Sequence, residues 1–432
     1  MNFLGGGTIK FIQCRLLRVK KLDDARVCGT DAWNMRELMM SLIYTWISTI
    51  ITIFQSKVLT VVSLMKATLK YLAGSEGPSG YGSNTTAQQV AQDCFCSNII
   101  PNLQLTAIIT GATSGIGAET ARVMAKNGVR VVIPARDLRK AEELKERIQR
   151  ESPEAEIIAL EMDLSSFASI QRFCSDFLSL GLPLHILINN AGKYSHKLEF
   201  SEDKIELTFA TNYLGHFLLT EMLMEKMVET AAESGREGRI VNVTSVIHSW
   251  VKRKNFCFSK LLNPKSYNGT YAYAHSKLAN ILHAKELSSQ LKARKANVSI
   301  NAVHPGIIKT GIIRDYRGFT TGMLFYTSFL LCLFRKIIQA KIAKQAVCFY
   351  FGKKMPDCLY FVGSKLLKST PQGAATTCYV ALSSQIAGIS GDYFADCNLS
   401  HCSALANEEA EARKLWKQTR AFIQRRLLQP KC

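Results

Sequence analysis

Residues 105–117 have the sequence LTAIITGATSGIG, an apolar run that ends in three closely spaced glycines. The apolar residues before Gly111 predict a buried strand, and Gly115 and Gly117 stand where a helix over 116–127 should begin. A side chain at these positions would hold a pyrophosphate away from the backbone amides and from the positive end of the helix. The stretch therefore predicts a dinucleotide-binding turn, although an ordinary strand-to-helix turn has the same local pattern.

Short aliphatic runs and amphipathic runs alternate after this turn. We predict strands at 130–135, 157–161, 186–189, 239–244 and 298–303, and helices at 138–151, 166–179, 206–230 and 274–291. This alternation is typical of α/β proteins, in which helices cover both faces of a parallel sheet. The predicted fold is a doubly wound parallel sheet, a Rossmann fold, forming a single catalytic domain over 104–400.

The amino-terminal segments differ from this domain in composition. Residues 1–64 form a basic and apolar extension, and its longest unbroken apolar run, 39–54, has 16 residues. A membrane-spanning helix needs about 20 residues, so a longer span, an interfacial helix, a signal anchor and a buried helix all stay open. Residues 65–103 are rich in Gly, Ser, Asn and Thr and predict a linker arm.

Positive charge is concentrated outside the predicted domain core. The chain has 54 Lys and Arg against 34 Asp and Glu, and the excess lies largely in the amino-terminal extension, in 330–370 and in the tail 401–432. This distribution favours a membrane surface or an acidic partner over nucleic acid. Within the tail, 412–428 predict a basic amphipathic helix, for which a membrane surface, a calmodulin-like groove and ordinary solvent exposure stay open.

The 13 cysteines include no C-x-x-C pair and no zinc-site spacing. Cys397, His401 and Cys402 lie close in sequence, but a fourth ligand has no clear place. We therefore predict no metal site, and an odd number of cysteines in a chain of this length indicates a reducing compartment.

Four motifs follow one another along the predicted domain. They are TGATSGIG at 110–117, NNAG at 189–192, NVTS ending at Ser245, and YAHSK at 273–277. In this order they resemble the short-chain dehydrogenase/reductase family over about 105–395. A second Tyr-x-x-x-Lys, at Tyr350 and Lys354, follows no serine-bearing strand and is a decoy.

The residues in and around these motifs indicate a subgroup of the family. TFATNYLGHFLLT and YAHSKLAN are similar to the retinol-dehydrogenase-like group, and above all to plant members related to the Tic-type short-chain dehydrogenase of the chloroplast inner envelope. In those relatives the chain would begin near Met65. They also lack most of 329–361, which we interpret as an insertion in the substrate loop that resembles translated non-coding sequence.

The resemblance implies four catalytic residues. A developing alkoxide needs a proton donor, and Tyr273 takes this role. A phenol has a pKa near 10, and the resemblance together with the i+4 spacing leads us to expect Lys277 to lower it. Ser245 would hydrogen-bond the substrate oxygen, and Asn212 would support a proton-relay water beside the lysine.

Cofactor preference depends on the end of the second predicted strand, where NAD enzymes place an acid. Arg136 occupies that position, and a guanidinium can pair with a 2′-phosphate, so we predict NADP(H). Asp163 would cap the adenine pocket. The resemblance implies further cofactor contacts at Gly111, Ser114, Gly115, Ile116, Gly117, Leu164, Asn190, Ala191, Gly192, Tyr273, Lys277, Pro305, Gly306 and Thr310.

These inferences support an NADP(H)-dependent carbonyl reductase or alcohol dehydrogenase. The apolar run at 323–334 predicts a lipophilic substrate, and a chloroplast envelope membrane is the expected location, with the endoplasmic reticulum or cytosol as alternatives. A different class of function is an NADPH-sensing subunit of a membrane complex. A third interpretation is that the insertion prevents proper folding. A homodimer would use an apolar helix face formed by Leu278, Ile281, Leu282 and Leu291.

Overall fold

The structure, a computed structural model, describes residues 71, 73–97, 104–262, 264, 266–308 and 367–428. The predictions for the extension 1–64, the apolar run 323–334, the insertion 329–361 and Thr310 lie outside these residues. Among the described residues, no helix is both long and apolar enough to cross a bilayer.

The core of the domain is an eight-stranded sheet in the order β10-β9-β6-β5-β4-β1-β2-β3. All neighbouring strands are parallel except the edge pair β9 and β10. The strands are β1 (Thr106–Ile109), β2 (Arg130–Ala135), β3 (Ile157–Glu161), β4 (Ile186–Asn189), β5 (Gly238–Val243), β6 (Val298–His304), β9 (Tyr393–Ala395) and β10 (Asn398–Leu399). The chain leaves β1 on one side and returns to β4 on the other, which confirms the predicted doubly wound fold. A crevice at such a reversal point is where these sheets bind ligands.

Helices cover both faces of the sheet. They are α1 (Ala87–Ser97), α2 (Gly115–Lys126), α3 (Leu138–Glu151), α4 (Phe167–Ser179), α5 (Leu207–Phe209), α6 (Gly215–Ser234), α7 (Phe258–Leu262), α8 (Gly269–Ala293), α9 (Thr370–Leu382) and α10 (Glu409–Leu428). Successive strand residues point to opposite faces. In β1, Ile108 joins the core under α4, α6 and α8, whereas Ala107 and Ile109 join the core under α2, α3 and α9.

Most predicted bounds agree with the structure to within a few residues. Helical residues run over 207–234 where a helix was predicted at 206–230, but they do not form one regular α-helix. Between α5 and α6 the chain forms a π-helix over Ala210–Leu214, which we call the π-turn. The helix predicted at 274–291 begins earlier, at Gly269, because the Asn268 side chain accepts a hydrogen bond from the Tyr271 amide at 3.1 Å.

The described part of the predicted linker arm is folded onto the domain. Val90, Ala91 and Cys94 of α1 are buried in the core shared with α2 and α9. Ahead of α1, the Asn398 side chain accepts from the Ser79 amide at 3.1 Å and donates to the Tyr81 carbonyl at 3.0 Å. Small residues in this stretch therefore permit close packing, whereas composition alone predicted a linker.

The carboxyl-terminal helix α10 also packs onto the domain. Leu415 and Ile423 are buried in the same apolar cluster as Leu278 and Leu282 of α8. All four residues predicted to pair two copies, Leu278, Ile281, Leu282 and Leu291, are buried within the single chain. A short parallel pair, β7 (Ile307–Ile308) and β8 (Leu367–Lys368), forms a second, two-stranded sheet.

Candidate active site

Tyr273 and Lys277 lie on one face of α8, one turn apart. Lys277 Nζ is 5.5 Å from the centroid of the Tyr273 ring and donates a hydrogen bond to the Val243 carbonyl at 2.9 Å. The Thr244 hydroxyl in turn donates to the Lys277 carbonyl at 2.7 Å. The end of β5 therefore fixes both the backbone and the ammonium group of Lys277.

Burial shifts the pKa values of this pair in opposite directions. It lowers the pKa of Lys277 to about 8 and raises the pKa of Tyr273 to about 12, because each loses the hydration that stabilises its charged form. The sequence led us to expect the lysine to lower the phenol pKa. In this structure the direction is the opposite, since desolvation of the phenolate dominates.

Ser245 follows β5 directly. Its hydroxyl accepts a hydrogen bond from the Ile247 amide at 3.4 Å and so begins the short 3₁₀-helix Val246–Trp250. The residue is only partly buried, and both it and Lys277 are anchored at the carboxyl end of the same strand. Ser245 and the Tyr273–Lys277 pair therefore flank one side of the crevice.

Asn212 lies in the π-turn and is fully buried. Its Oδ1 accepts from the Lys193 amide at 2.7 Å, and its Nδ2 donates to the Lys193 carbonyl at 2.9 Å and to Ser276 Oγ at 3.0 Å. The side chain therefore links the loop after β4 to α8. π-helices are rare and concentrate at functional sites, but nothing in the sequence predicted one here or the role of Lys193.

The glycine turn approaches the loop after β4 too closely for side chains. A Cβ on Gly111 would lie 2.8 Å from Ala191 Cα, and one on Gly117 would lie 2.4 Å from Asn190 Nδ2. Gly111 and Gly115 also have φ of +65° and +59°, a region that favours glycine. The turn thus leaves backbone amides exposed at the beginning of α2, which fits a pyrophosphate.

Thr110 holds this turn against β4. Its Oγ1 accepts hydrogen bonds from the amides of Asn190 at 2.9 Å and Ala191 at 3.0 Å, and it lies 2.8 Å from Nε2 of His216. The Asn190 side chain returns a bond to the Thr110 carbonyl at 2.8 Å. Thr110 and His216 were not predicted as site residues, although both lie within the quoted motifs.

Other predicted cofactor residues stand around the same edge of the sheet. Arg136, at the end of β2, is exposed and forms no ion pair with any carboxylate in the described part of the chain. The neighbouring Asp137 lies within 3.5 Å of Arg139 and 3.4 Å of Lys140. After β3, the Asp163 carboxylate accepts from the amide and hydroxyl of Ser165 at 2.8 Å and 2.7 Å.

The turn after β6 completes this edge. Gly306 has φ of +90°, and a Cβ on it would lie 2.6 Å from Cδ of Lys368. Lys368 is buried and pairs with Asp396 at 2.5 Å. The remaining predicted contacts, Ser114, Ile116, Leu164, Gly192 and Pro305, follow β1, β3, β4 and β6. The described site residues therefore gather at the carboxyl ends of six strands.

Sequence comparison identifies the family. Short-chain dehydrogenase TIC 32 B, chloroplastic, of Brassica napus is 42% identical over 345 residues, which cover 80% of this chain and 95% of that protein. The chain belongs to the short-chain dehydrogenase family. The family's sequence model matches residues 105–319 of this short-chain dehydrogenase. Retinol dehydrogenase 12 of Bos taurus is 37% identical over 309 residues, covering 72% of the chain and 83% of that enzyme.

A solved structure supports the same fold. The crystal structure of an uncharacterized protein from Mycobacterium Paratuberculosis superposes with a TM-score of 0.51, at 24% identity, over 75% of this chain and 96% of that one. As a short-chain dehydrogenase, the chain is an oxidoreductase of CH–OH and C=O groups that binds NAD(P)(H). The glycine turn fits such a dinucleotide, because a Cβ at Gly111 or Gly117 would collide with Ala191 or Asn190 and displace the turn that presents the backbone amides at the beginning of α2.

Proposed function

We propose that this protein is an NADP(H)-dependent oxidoreductase that interconverts a lipophilic carbonyl compound and its alcohol. The observation that carries the proposal is the Tyr273–Lys277 pair beside Ser245, with Asn212 braced against the same helix. When bound, the nicotinamide supplies the hydride-transfer chemistry. The side chains of the protein bind the substrate oxygen and move its proton.

Each of the four residues has a distinct task in this proposal. The Tyr273 hydroxyl, with a pKa of about 12, is protonated at neutral pH and so is ready to donate to a developing alkoxide. Lys277, with a pKa of about 8, exchanges protons near neutrality. The Ser245 hydroxyl orients the substrate oxygen. Asn212 fixes the π-turn and holds the loop at Lys193 in place.

Arg136 supports the preference for NADP(H). It is exposed at the end of β2, and without a carboxylate partner among the described residues its guanidinium is free to pair with a 2′-phosphate. Asp137, the only acid beside it in sequence, already faces two cations. An acid that would bind both ribose hydroxyls, as in NAD enzymes, is therefore replaced by a cation at this position.

A lipophilic substrate is supported by the aromatic surroundings of Tyr273 and by a relative. The Tyr194 ring packs edge-on against the Tyr273 ring, with centroids 6.0 Å apart. A relative at 37% identity is named for retinol, an apolar alcohol. We propose the chloroplast as the location, because TIC 32 B, the relative at 42% identity, is named as chloroplastic.

The test uses the purified full-length chain. Binding of NADPH and NADH is measured by nicotinamide fluorescence, and NADPH oxidation is then followed with a series of apolar aldehydes. We expect tighter binding of NADPH and turnover on at least one aldehyde, with Tyr273→Phe losing turnover while it binds NADPH as tightly as the wild type. Turnover of Tyr273→Phe within a few-fold of wild type would refute the catalytic role of the phenol.

A second candidate function is an NADPH-sensing subunit of a membrane complex at the chloroplast envelope. It is favoured by the relatives named TIC 32 rather than by a feature of the site. A sensor predicts that association with a membrane fraction changes with NADPH and survives Tyr273→Phe. Loss of association in that variant, with NADPH binding retained, would exclude a pure sensor.

The basic face of α10 is the surface we propose for a membrane or an acidic partner. Lys414, Lys417 and Arg425 are exposed on it, whereas the apolar residues Leu415 and Ile423 of α10 are buried against the domain. A calmodulin-like partner that grips the apolar face would therefore have to displace α10. A homodimer through α8 would need the same displacement.

A further inference from the structure

His216 is a buried histidine between the two halves of the site. It is the second residue of α6 and only 1% exposed. Its Nε2 lies 2.8 Å from Thr110 Oγ1, and its Nδ1 lies 3.0 Å from the Asn212 carbonyl oxygen. One side of the ring therefore contacts the glycine turn, and the other side contacts the π-turn.

The partners define the protonation of the ring. A carbonyl oxygen can only accept, so Nδ1 must carry the hydrogen that it donates to Asn212. Burial lowers the pKa of His216 to about 4, which leaves the ring neutral and Nε2 without a hydrogen. Nε2 therefore accepts the hydrogen of the Thr110 hydroxyl.

This assignment gives the Thr110 hydroxyl a complete set of partners. It donates its one hydrogen to His216 at 2.8 Å, in preference to the Ile188 carbonyl oxygen at 3.3 Å, and it accepts hydrogen bonds from the amides of Asn190 and Ala191. A directed series of hydrogen bonds thus runs from the loop after β4 through Thr110 and His216 to the Asn212 backbone. The Asn212 side chain continues it to Lys193 and Ser276.

We propose that His216 is a positioning residue that couples the cofactor turn to the catalytic turn. Through Nε2 it sets the orientation of Thr110, and with it the loop at Asn190 and Ala191. Through Nδ1 it sets the π-turn that holds Asn212 beside α8. The inference rests on the proposed oxidoreductase function for its catalytic half, whereas its cofactor half needs only dinucleotide binding.

Replacing His216 with Asn or with Gln removes one of its two hydrogen bonds at a time. In His216→Asn, the shorter side chain places an N–H near the Nδ1 position, so it keeps the bond to Asn212 and loses the one to Thr110. In His216→Gln, the longer side chain reaches Thr110 with its carbonyl oxygen and loses the bond to Asn212. His216→Phe keeps a ring of similar size and loses both bonds.

We expect one amide variant to lose NADPH affinity and the other to lose kcat. His216→Asn should weaken NADPH binding about tenfold, the order of one buried hydrogen bond, with kcat changed less than about threefold. His216→Gln should bind NADPH as the wild type does and lower kcat about tenfold or more. His216→Phe should show both losses.

Hydrogen exchange gives a readout that does not depend on turnover. In His216→Gln the amides of the π-turn, 210–214, should exchange faster, and in His216→Asn those of 190–193 should do so. If the wild type binds NADPH but turns over no substrate, the proposed catalytic function fails, while the NADPH affinities and exchange rates still test the coupling.

The matched control is His185→Phe. His185 is 2% exposed, its Nδ1 accepts a hydrogen bond from the Thr106 amide at 3.1 Å, and it directly precedes β4, at the opposite end of that strand from Asn190. The control should lower the melting temperature without changing NADPH affinity, kcat or exchange at the two sites. Equal losses in the Asn and Gln variants, or His216→Phe behaving as His185→Phe does, would overturn the proposal. So would failure of all three His216 variants to fold while His185→Phe folds, because the role would then be purely structural.

Discussion

The Tyr213 hydroxyl oxygen lies 2.9 Å from Oγ1 of Thr419, although the two residues are 206 positions apart. Both side chains are fully buried, and Tyr213 directly follows Asn212 in the π-turn. The same contact between α10 and α6 includes the Phe217 and Trp416 rings, 6.2 Å apart. The carboxyl-terminal helix therefore packs against the element that carries a predicted catalytic residue.

Removing the Thr419 hydroxyl should destabilise the π-turn. Thr419→Val leaves the Tyr213 hydroxyl buried without its partner, which costs about 1–3 kcal/mol of the free energy of unfolding, and kcat should fall because the neighbouring Asn212 is less constrained. Denaturant unfolding and kcat measure the two effects. Thr419→Ser keeps the hydroxyl and serves as the control; a Val variant as stable as the Ser variant would contradict the prediction.

Lys277 should make stability depend on pH in the alkaline range. The pKa of a lysine side chain is 10.5 in water, and that of Lys277 is about 8 in the folded protein. Between these values the unfolded chain still holds a proton that the folded protein has released, so raising the pH favours the folded state, by at most about 1.4 kcal/mol per pH unit.

Lys277→Met should lose this increase in stability at alkaline pH. We expect the free energy of unfolding of the wild type, relative to the variant, to increase from pH 8 to pH 10, as measured by denaturant unfolding at each pH. Parallel curves for the two proteins would show that the folded pKa is not lowered. Turnover should be lost in the variant at every pH.

Arg136→Asp should change cofactor preference. Removing the guanidinium loses a charge-assisted contact with the 2′-phosphate, and the new carboxylate repels it, so the NADPH dissociation constant should rise at least about tenfold. NADH affinity should hold or improve. The control is Arg147→Asp, which makes the same charge change at an exposed position of α3. If both substitutions raised the NADPH dissociation constant equally, the net charge of the protein, and not a contact with Arg136, would determine NADPH affinity.

Gly111→Ala should abolish dinucleotide binding as well as lower stability. The alanine would be strained at φ of +65°, and its Cβ would lie 2.8 Å from Ala191 Cα. Gly128→Ala separates these effects, because Gly128 has φ of +82° with no atom within 4 Å of the added Cβ. The control should lose only about 1–2 kcal/mol and bind NADPH normally. If Gly111→Ala bound NADPH with wild-type affinity, the glycine turn would not be the part of the protein that holds the pyrophosphate.

The sheet was predictable from sequence because its buried strands are short aliphatic runs bounded by turns. The π-turn was not predictable, because the apolar residues of 206–230 have the spacing of an ordinary amphipathic helix. A π-helical turn holds only one residue more than an α-helical turn, so it leaves that spacing almost unchanged. Contacts between distant residues, such as Gly306 against Lys368 or Tyr213 with Thr419, have no local signal. His216 had one: a polar side chain between Gly215 and Phe217 in an apolar run requires a buried partner.

The position of α10 has a consequence for biosynthesis. Tyr213 of the π-turn is synthesised 206 residues before Thr419, and at roughly 5–20 residues per second about 10–40 s separate the two events. During that interval the apolar face of α6, and that of α8 once it has been made, lack the helix that covers them. A nascent chain halted before α10 would therefore expose the surface that chaperones bind.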